Sequence, residues 1–291
     1  MCTAITYQSG DFYFGRNLDL DRDYGERVTV MPRKFTFPMK CMPDLCEHYA
    51  IIGMAVVAEG CPLFFEATNE KGLSMAGLNF PDNAFYCKVE KGRLNLAPYE
   101  LIPWLLGKCA TLSEVKEAVK ELNIVNIPFS ESVPLSPLHW IIADKSGSLT
   151  VESMSDGLKI HENPWGVLSN NPPFDYHLIN TEKFMLFKEP LPGDFSSETR
   201  FLRAAYLKEK SSPKESEDES VGQFFRMLSL VSVPEGCVVK NGKPHFTRYS
   251  SCCNTDKGIF YYNRCGSFKI KKADIHDYDL EGKELLIPES T

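Results

Sequence analysis

Strand pairs outnumber helices along this chain and the two kinds of element interleave, which predicts a layered α/β or α+β protein. Three β-prone pairs and two amphipathic helices carry that prediction. Residues 4–7 and 12–16 are β-prone runs joined by Gln8-Ser9-Gly10-Asp11, a composition that reverses a chain into a hairpin. Residues 138–144 and 149–154 form a second pair that turns through Lys145-Ser146-Gly147, and residues 247–252 pair with 258–262. A helix begins at Thr111, where Thr-Leu-Ser-Glu makes a capping box with Glu114. Val115, Ala118, Val119 and Leu122 then fall on one helical stripe, and Val221, Phe224, Phe225 and Leu228 repeat the spacing in a second helix. Between them EKSSPKESEDES, residues 209–220, is charged and poor in apolar groups, so it reads as a solvated loop inside a domain. No internal repeat is visible.

The bulk composition narrows the function. A chain of 291 residues buries an ample core in one large domain or two small ones. A formal net charge of -7 repels polyphosphate and anionic membranes, which argues against nucleic acid as a partner. The N-terminus MCTAITYQSGD has neither a basic segment nor an apolar one, and no run approaches the length of a membrane span. The expectation is a cytosolic protein with no membrane contact. The ten cysteines are irregularly spaced, so in a reducing compartment most of them serve as small buried hydrophobes.

Cys2 is the exception. A small residue after the initiator Met permits removal of Met1, which leaves a thiol and a free α-amine on one residue. The thiolate is the attacking species, and an unperturbed thiol with pKa of about 8.5 is scarcely ionised at neutral pH. A neighbouring α-amine, with pKa of about 7.7–8.0, can act as its base without any histidine. A chance cysteine at position 2 is the plain alternative. Arg16-Asn17-Leu18-Asp19 ends the strand that returns beside the N-terminus, where Arg16 can stabilise a thiolate and Asp19 can hold a protonated amine. The same pair also reads as an ordinary surface ion pair. Two asparagine segments, Ala76-Gly77-Leu78-Asn79-Phe80-Pro81 and Leu168-Ser169-Asn170-Asn171-Pro172-Pro173, offer uncharged donors for an oxyanion, although Asn before Pro is also a turn signal. Pro192-Gly193-Asp194 marks a turn, and Arg200 adds a second cation near an apolar run.

Two other chemistries were weighed on the residues. Cys252-Cys253, or Cys41 with Cys46, lacks the paired knuckles and histidine spacing of a structural zinc site. A cysteine–histidine dyad would use His139 or His177. His139 lies in the apolar run Leu138-His139-Trp140-Ile141-Ile142, which favours a core histidine, and His177 has no orienting partner visible in sequence.

Taken in order, Cys2, FGRNLDL with Arg16 and Asp19, GLNFP with Asn79, PLHWIIAD, SNNPPFDYHL with Asn170, LPGDFSSETRF with Arg200, and YSSCCN resemble the choloylglycine hydrolases. That family comprises bacterial bile salt hydrolases and penicillin V acylases, and the resemblance runs from residue 2 to about 280. It implies one domain over 2–291, folded as a four-layer αββα sandwich of the N-terminal-nucleophile type, with two stacked, mainly antiparallel sheets. It implies that Cys2 attacks an amide carbonyl once Met1 is gone, with its own amine moving the proton. Asp19 would orient that amine, Arg16 would sit against the sulfur, and Arg200 would support the site electrostatically. The Asn170 side chain and the Asn79 backbone N–H would form the oxyanion hole, with no metal and no cofactor. Asn at the position of Asn79, where penicillin V acylases tend to carry Tyr, points to conjugated bile salts as substrate. Leu18, Leu20, Tyr24 and Phe129 are the expected apolar lining for the steroid. A homo-oligomer, dimer or tetramer, is expected, although residues 177–190 are shorter than the excursion that reaches a neighbouring subunit in family tetramers. The open alternatives are hydrolysis of penicillin V or acyl-homoserine lactones on the same fold, and a non-catalytic binding protein that kept it.

Overall fold

The computed structural model describes residues 1–187 and 190–288. Part of the 177–190 segment and the end of the expected 2–291 domain therefore lie outside the described residues. The first hairpin is longer than its β-prone runs: β1 spans Cys2–Ser9 and β2 spans Asp11–Leu20. Gly10 makes the reversal at φ +69, a conformation that an L side chain adopts only with strain. The chain continues through β3 (Arg27–Met31), β4 (Ile51–Ala58), β5 (Cys61–Asn69), β6 (Ser74–Asn79) and the short β7 (Leu94–Leu96). Helices α1 (Leu101–Lys108) and α2 (Leu112–Ala118) lead to β8 (Leu122–Ile124). β9 (Leu138–Asp144), β10 (Gly147–Met154), β11 (Gly157–Glu162) and β12 (Val167–Leu168) precede α3 (Phe174–Phe187), α4 (Ser197–Lys210) and α5 (Glu217–Ser229). The last strands are β13 (Val239–Lys240), β14 (Lys243–Pro244), β15 (Phe246–Asn254), β16 (Ile259–Arg264) and β17 (Lys271–Asp274).

Two large antiparallel sheets dominate. The first runs β12-β1-β2-β15-β16-β17 and the second β11-β10-β9-β6-β5-β4-β3. β1 and β2 lie over β6, so the sheets stack face to face, with α4 and α5 on the outer face of the first and α1 and α2 on that of the second. The class is α+β, and the layers run α, β, β, α as expected. Side chains of the second sheet alternate between its two faces, as the pleat requires. Ala76, Leu78, Ile141 and Ala143 join the core between the sheets, while Met75, Trp140 and Ile142 join Leu101, Leu105 and Val115 under the helices. Both alternating sets are apolar because both faces are covered, and this is why these strands read as continuous apolar runs.

Two sequence expectations need correction. Thr111 does cap α2, with its Oγ1 accepting from Glu114 N–H at 3.2 Å, but Glu114 reaches back to Ala110 N–H at 2.6 Å. The helix ends at Ala118, and Leu122 opens β8, which pairs in parallel with β7. Leu122 still enters the same core, so burial is satisfied without a further turn of α-helix. Asn123 holds the strand, donating to Lys88 O at 2.9 Å and to Asn95 Oδ1 at 2.7 Å. The charged stretch 209–220 is a loop only over 211–216 and helical at both ends. α4 runs to Lys210 and α5 starts at Glu217, behind Ser216, which makes a complete capping box with Glu219. Glu217, Asp218 and Glu219 sit in the first turn, where the helix dipole favours acid, so their charge marks a helix start.

Gly15 fixes how closely β2 and β15 approach, since a Cβ there would meet Ser251 O at 2.0 Å. Gly15→Ala must push the strands apart, at about 1–3 kcal/mol or more. Gly222, inside α5, has nothing within 4 Å of such a Cβ. Gly222→Ala is expected to hold or raise stability, by up to about 1 kcal/mol. Thermal denaturation should therefore show Tm falling by several degrees for the first variant and not for the second.

Candidate active site

β1 and β2 pair with Cys2 opposite Leu18, Thr3 opposite Asn17 and Ala4 opposite Arg16. Cys2, Ala4, Arg16 and Leu18 therefore share one face of the hairpin, and Thr3, Asn17 and Asp19 share the other. The first face meets the second sheet: Arg16 Nη1 donates to Gly77 O at 2.6 Å and to Phe65 O at 3.0 Å. The second meets the helices, where Asn17 Nδ2 donates to Leu228 O at 2.8 Å.

Met1 continues the ladder. Its amine donates to Asp19 O at 2.7 Å, and Asp19 N–H donates back to Met1 O at 3.0 Å. Burial holds the Met1 amine below its ordinary pKa, against the pull of Cys2 and Asp19. Cys2 N–H, an amide while Met1 is attached, donates to Asn170 Oδ1 at 2.7 Å. Asn170 follows β12, which pairs with β1, and its Nδ2 donates to Asn79 O at 2.6 Å.

Arg200 reaches across from α4. It donates to Cys2 O, to Thr3 Oγ1 at 2.6 Å and to Asn170 Oδ1 at 2.8 Å, and it stands 3.9 Å from Asp19 Oδ2. Burial pulls its pKa down, with Asp19 and Cys2 opposing. Burial also works against Arg16, but Cys2, Tyr249 and Glu66 outweigh it and hold the guanidinium above its ordinary value. Asp19 Oδ1 accepts from Thr247 Oγ1 at 2.6 Å, whereas Asp19 Oδ2 and Arg16 Nη2 are buried without a hydrogen-bond partner.

Six expected site residues, Cys2, Arg16, Asp19, Asn79, Asn170 and Arg200, thus meet around the end of β1. Asn79, Asn170 and Arg200, with Met1, line a cleft of about 1040 Å³ that also carries Pro81, Tyr176, Phe195 and Lys240. The four expected steroid contacts do not line it. Leu18 is buried in the core opposite Cys2, and Leu20 ends β2 opposite Phe246. Tyr24 is exposed beside Arg22, and Phe129 meets Tyr99 edge-on at 5.2 Å on the α1 side of the second sheet.

Neither histidine of the alternative dyad hydrogen-bonds Cys2. His177 Nε2 donates to Asn170 O at 2.9 Å, so it does have a partner, and burial lowers its pKa to about 4. Among the described residues no three His, Cys, Asp or Glu side chains gather as a metal site would need, and Cys252 and Cys253 are buried in the core. Sequence reading missed Glu66, Thr247 and Ser197. Ser197 lay within the quoted LPGDFSSETRF and accepts Asn170 N–H at 2.8 Å. Thr247 could be found only from the β2–β15 register, which sets it opposite Asp19. Glu66 had no local signal.

Known proteins resemble this chain in sequence and in fold. The model of the choloylglycine hydrolase family of linear amide C–N hydrolases matches residues 2–288. The chain belongs to that family. It is 45% identical to the bile salt hydrolase/transferase of Lactiplantibacillus plantarum, over 98% of this chain and 96% of that one. It is 34% identical to the conjugated bile acid hydrolase of Lactobacillus gasseri, over 98% and 99% of the two chains. The structure of the C2A mutant of conjugated bile acid hydrolase from Clostridium perfringens superimposes with a TM-score of 0.91 at 32% identity, covering 100% of this chain and 97% of that one. Penicillin V acylase from Agrobacterium tumefaciens has the same fold, with a TM-score of 0.82 at 20% identity and coverage of 98% and 90%. Like its family, the protein is an amide hydrolase.

Behind Arg16, the buried Glu66 carboxyl accepts from Tyr249 Oη at 2.6 Å and Ser251 Oγ at 2.8 Å and lies 3.8 Å from Arg16 Nε. Burial pushes its pKa up to about 7, with Arg16 and the two hydroxyls pulling it down. The folded state thus keeps a proton that the unfolded state sheds near its ordinary value of 4.5, and stability falls as pH rises from there to about 7. Glu66→Gln should remove this component. In urea titrations the variant is expected to lose less stability than the native chain across that window. Equal losses would mean that Glu66 titrates normally.

Proposed function

We propose that the protein is a bile salt hydrolase, cleaving the amide bond of glycine- or taurine-conjugated bile salts through the Cys2 thiol. The observation that carries this reading is the placement of Cys2 N, 2.7 Å from Asn170 Oδ1, while Asn170 Nδ2 holds Asn79 O at 2.6 Å. The Cys2 nitrogen, which becomes the chain terminus once Met1 is removed, thereby stands beside two asparagines that line a large cleft. Relatives named as bile salt or bile acid hydrolases match the chain end to end and support the substrate class. The cleft supports it as well. At about 1040 Å³ it reaches the upper end of ordinary ligand sites, and it mixes apolar walls with Asn79, Asn170 and Lys240, as an amphipathic sterol conjugate needs.

The chemistry begins with removal of Met1. A peptide nitrogen has no basic lone pair, so Cys2 gains its base only when that bond is cut. The new amine takes the thiol proton and the sulfur attacks the amide carbonyl. The negative charge that develops on oxygen is met by the free Asn170 Nδ2 proton and by Asn79 N–H. As the tetrahedral species collapses, the C–N bond breaks, the amine passes its proton to the departing nitrogen, and a thioester remains on Cys2. Water, deprotonated by the same amine, releases the bile acid and restores the thiol. An amine in place of water would give acyl transfer from the same thioester. Asp19 has a buried carboxylate oxygen without a partner and is the group to hold the new ammonium.

We also propose a cytosolic homo-oligomer. Among the described residues no helix is long and apolar enough to cross a membrane. Tyr176, Ile179, Leu186 and Phe187 give α3 an exposed apolar side that suits a subunit contact, dimeric or tetrameric.

Intact mass of the active protein should lack one methionine. Cys2→Ala should abolish turnover, and Asn170→Ala should lower kcat by about 10²–10³. Parallel assays on glycocholate, taurocholate and penicillin V test the substrate: release of glycine or taurine is expected, and cleavage of penicillin V alone would overturn the assignment.

A further inference from the structure

Asn79 ends β6 of the second sheet and Asn170 follows β12 of the first, yet an oxyanion hole works only if their donors converge. A second buried cluster lies directly behind them. His139, on β9, is fully buried, with Nδ1 at 2.9 Å from Glu152 Oε1 and Nε2 at 2.9 Å from Ser169 O. Its ring stacks on Phe80 at 4.3 Å between centroids and 5° between planes. Phe80 is the residue after Asn79, and Ser169 is the residue before Asn170. One imidazole therefore touches both asparagine segments.

The protons in this cluster are constrained by its partners. A carbonyl can only accept, so His139 Nε2 must carry the hydrogen that meets Ser169 O. Glu152 accepts Phe174 N–H on Oε1 at 3.1 Å and on Oε2 at 3.2 Å, so the carboxylate also pins the start of α3. Whether the proton between Nδ1 and Glu152 sits on nitrogen or oxygen, Nε2–H stays directed at Ser169. The next peptide is gripped in turn, since Asn170 N–H donates to Ser197 Oγ at 2.8 Å and Asn170 O accepts from His177 at 2.9 Å. Every polar main-chain group from Ser169 O to Asn170 O thus ends on a side chain, which leaves the Asn170 side chain little freedom to swing.

The geometry points to His139, braced by Glu152, as a positioning residue that aims the oxyanion donors: its Nε2–H anchors the peptide before Asn170 while its ring backs the residue after Asn79. It touches neither the thiol nor the cleft, so its role is to hold other groups in place. The inference rests on Asn79 and Asn170 being the oxyanion donors. An error of about 1 Å in such a donor can reduce rate about 10²-fold.

The test uses the processed, full-length enzyme. In side-chain reach, Gln can replace the Nε2–H of histidine and Asn only the Nδ1 side. His139→Gln should keep kcat within about fivefold, whereas His139→Asn, still able to meet Glu152, should lose about 10–100-fold in kcat with KM within about twofold. On an Asn170→Ala background the His139→Asn change should cost less than about threefold, because the donor that its Nε2–H anchors is already gone and only the contact with Phe80 remains to be lost. Equal kcat for His139→Asn, His139→Gln and the native enzyme would overturn the inference and leave the oxyanion assignment standing. A kcat loss of the same size with and without Asn170 would also overturn it. Native kcat in Asn170→Ala itself would overturn the assignment and the inference together. Should His139→Asn fail to fold, His139→Gln decides alone: kcat within about fivefold of native supports the anchoring role, and a larger fall at unchanged Tm refutes it.

Discussion

A guanidinium taken out of water must find acceptors for its protons, and two such groups flank the strand that begins at Cys2. Arg16 and Arg200 are both fully buried, one between the sheets and one beneath α4. Burying an ion costs several kcal/mol even after relaxation, and the geometry around it must compensate. Here the compensation is mostly neutral: carbonyls of Phe65, Gly77 and Asn17 serve Arg16, while Cys2 O, Thr3 and Asn170 serve Arg200. The nearest carboxylates stand farther off, at 3.8 Å for Glu66 and 3.9 Å for Asp19. Glu66 is moreover pushed toward its neutral form by burial. Two cations held largely by dipoles leave positive potential at the end of β1. The same contacts fix the strand, so the electrostatics and the fold of the site share their atoms.

The register of one hairpin explains how these groups come together. With Leu18 opposite Cys2, residues 16 and 19 fall on opposite faces of β2 and meet different layers. A slip of one residue would exchange those faces. Arg16 would then point at the helices and Asp19 between the sheets. Gly15 and the close approach of Ser251 protect the register from the β15 side. Met1 extends the same ladder by one pair and, by that bond, keeps the nucleophile's base locked as an amide. The proposed removal of Met1 would therefore expose groups that are already in place.

What the sequence disclosed follows from range. The hairpins were legible because Gly10 and Lys145-Ser146-Gly147 act locally, and the site was legible because its residues lie in short motifs whose order resembles one family. The charged start of α5 was misread as loop because acid there answers to the helix dipole, which exists only once the helix does. Leu122 was misassigned because a buried apolar residue satisfies helical spacing and strand pairing equally well. Glu66 and Thr247 were out of reach, since each depends on a partner far away in the chain, whereas His139 and Glu152 face each other within one local hairpin and only their link to Ser169 is long-range. The expected steroid contacts lie away from the cleft for a similar reason: Leu18 and Phe129 are apolar, but what they face was decided by the sheet register and by Tyr99.

The amide of Asn170 shows how tightly the remaining freedom is drawn. Its Oδ1 faces Cys2 N–H and Arg200, which only donate, so the amide orientation is forced by chemistry. Of the two Nδ2 protons, one is taken by Asn79 O, which leaves a single proton for a substrate oxygen. Asp in this place would lose that proton and add a charge against the developing oxyanion, and Gln would displace it by a methylene. A second donor must then come from the main chain, and Asn79 is tied to Asn170 by the very bond that consumes the other proton. In the proposed mechanism Asn79 acts through its backbone, so a change of residue at this cleft-lining position can alter the choice of substrate without removing that donor.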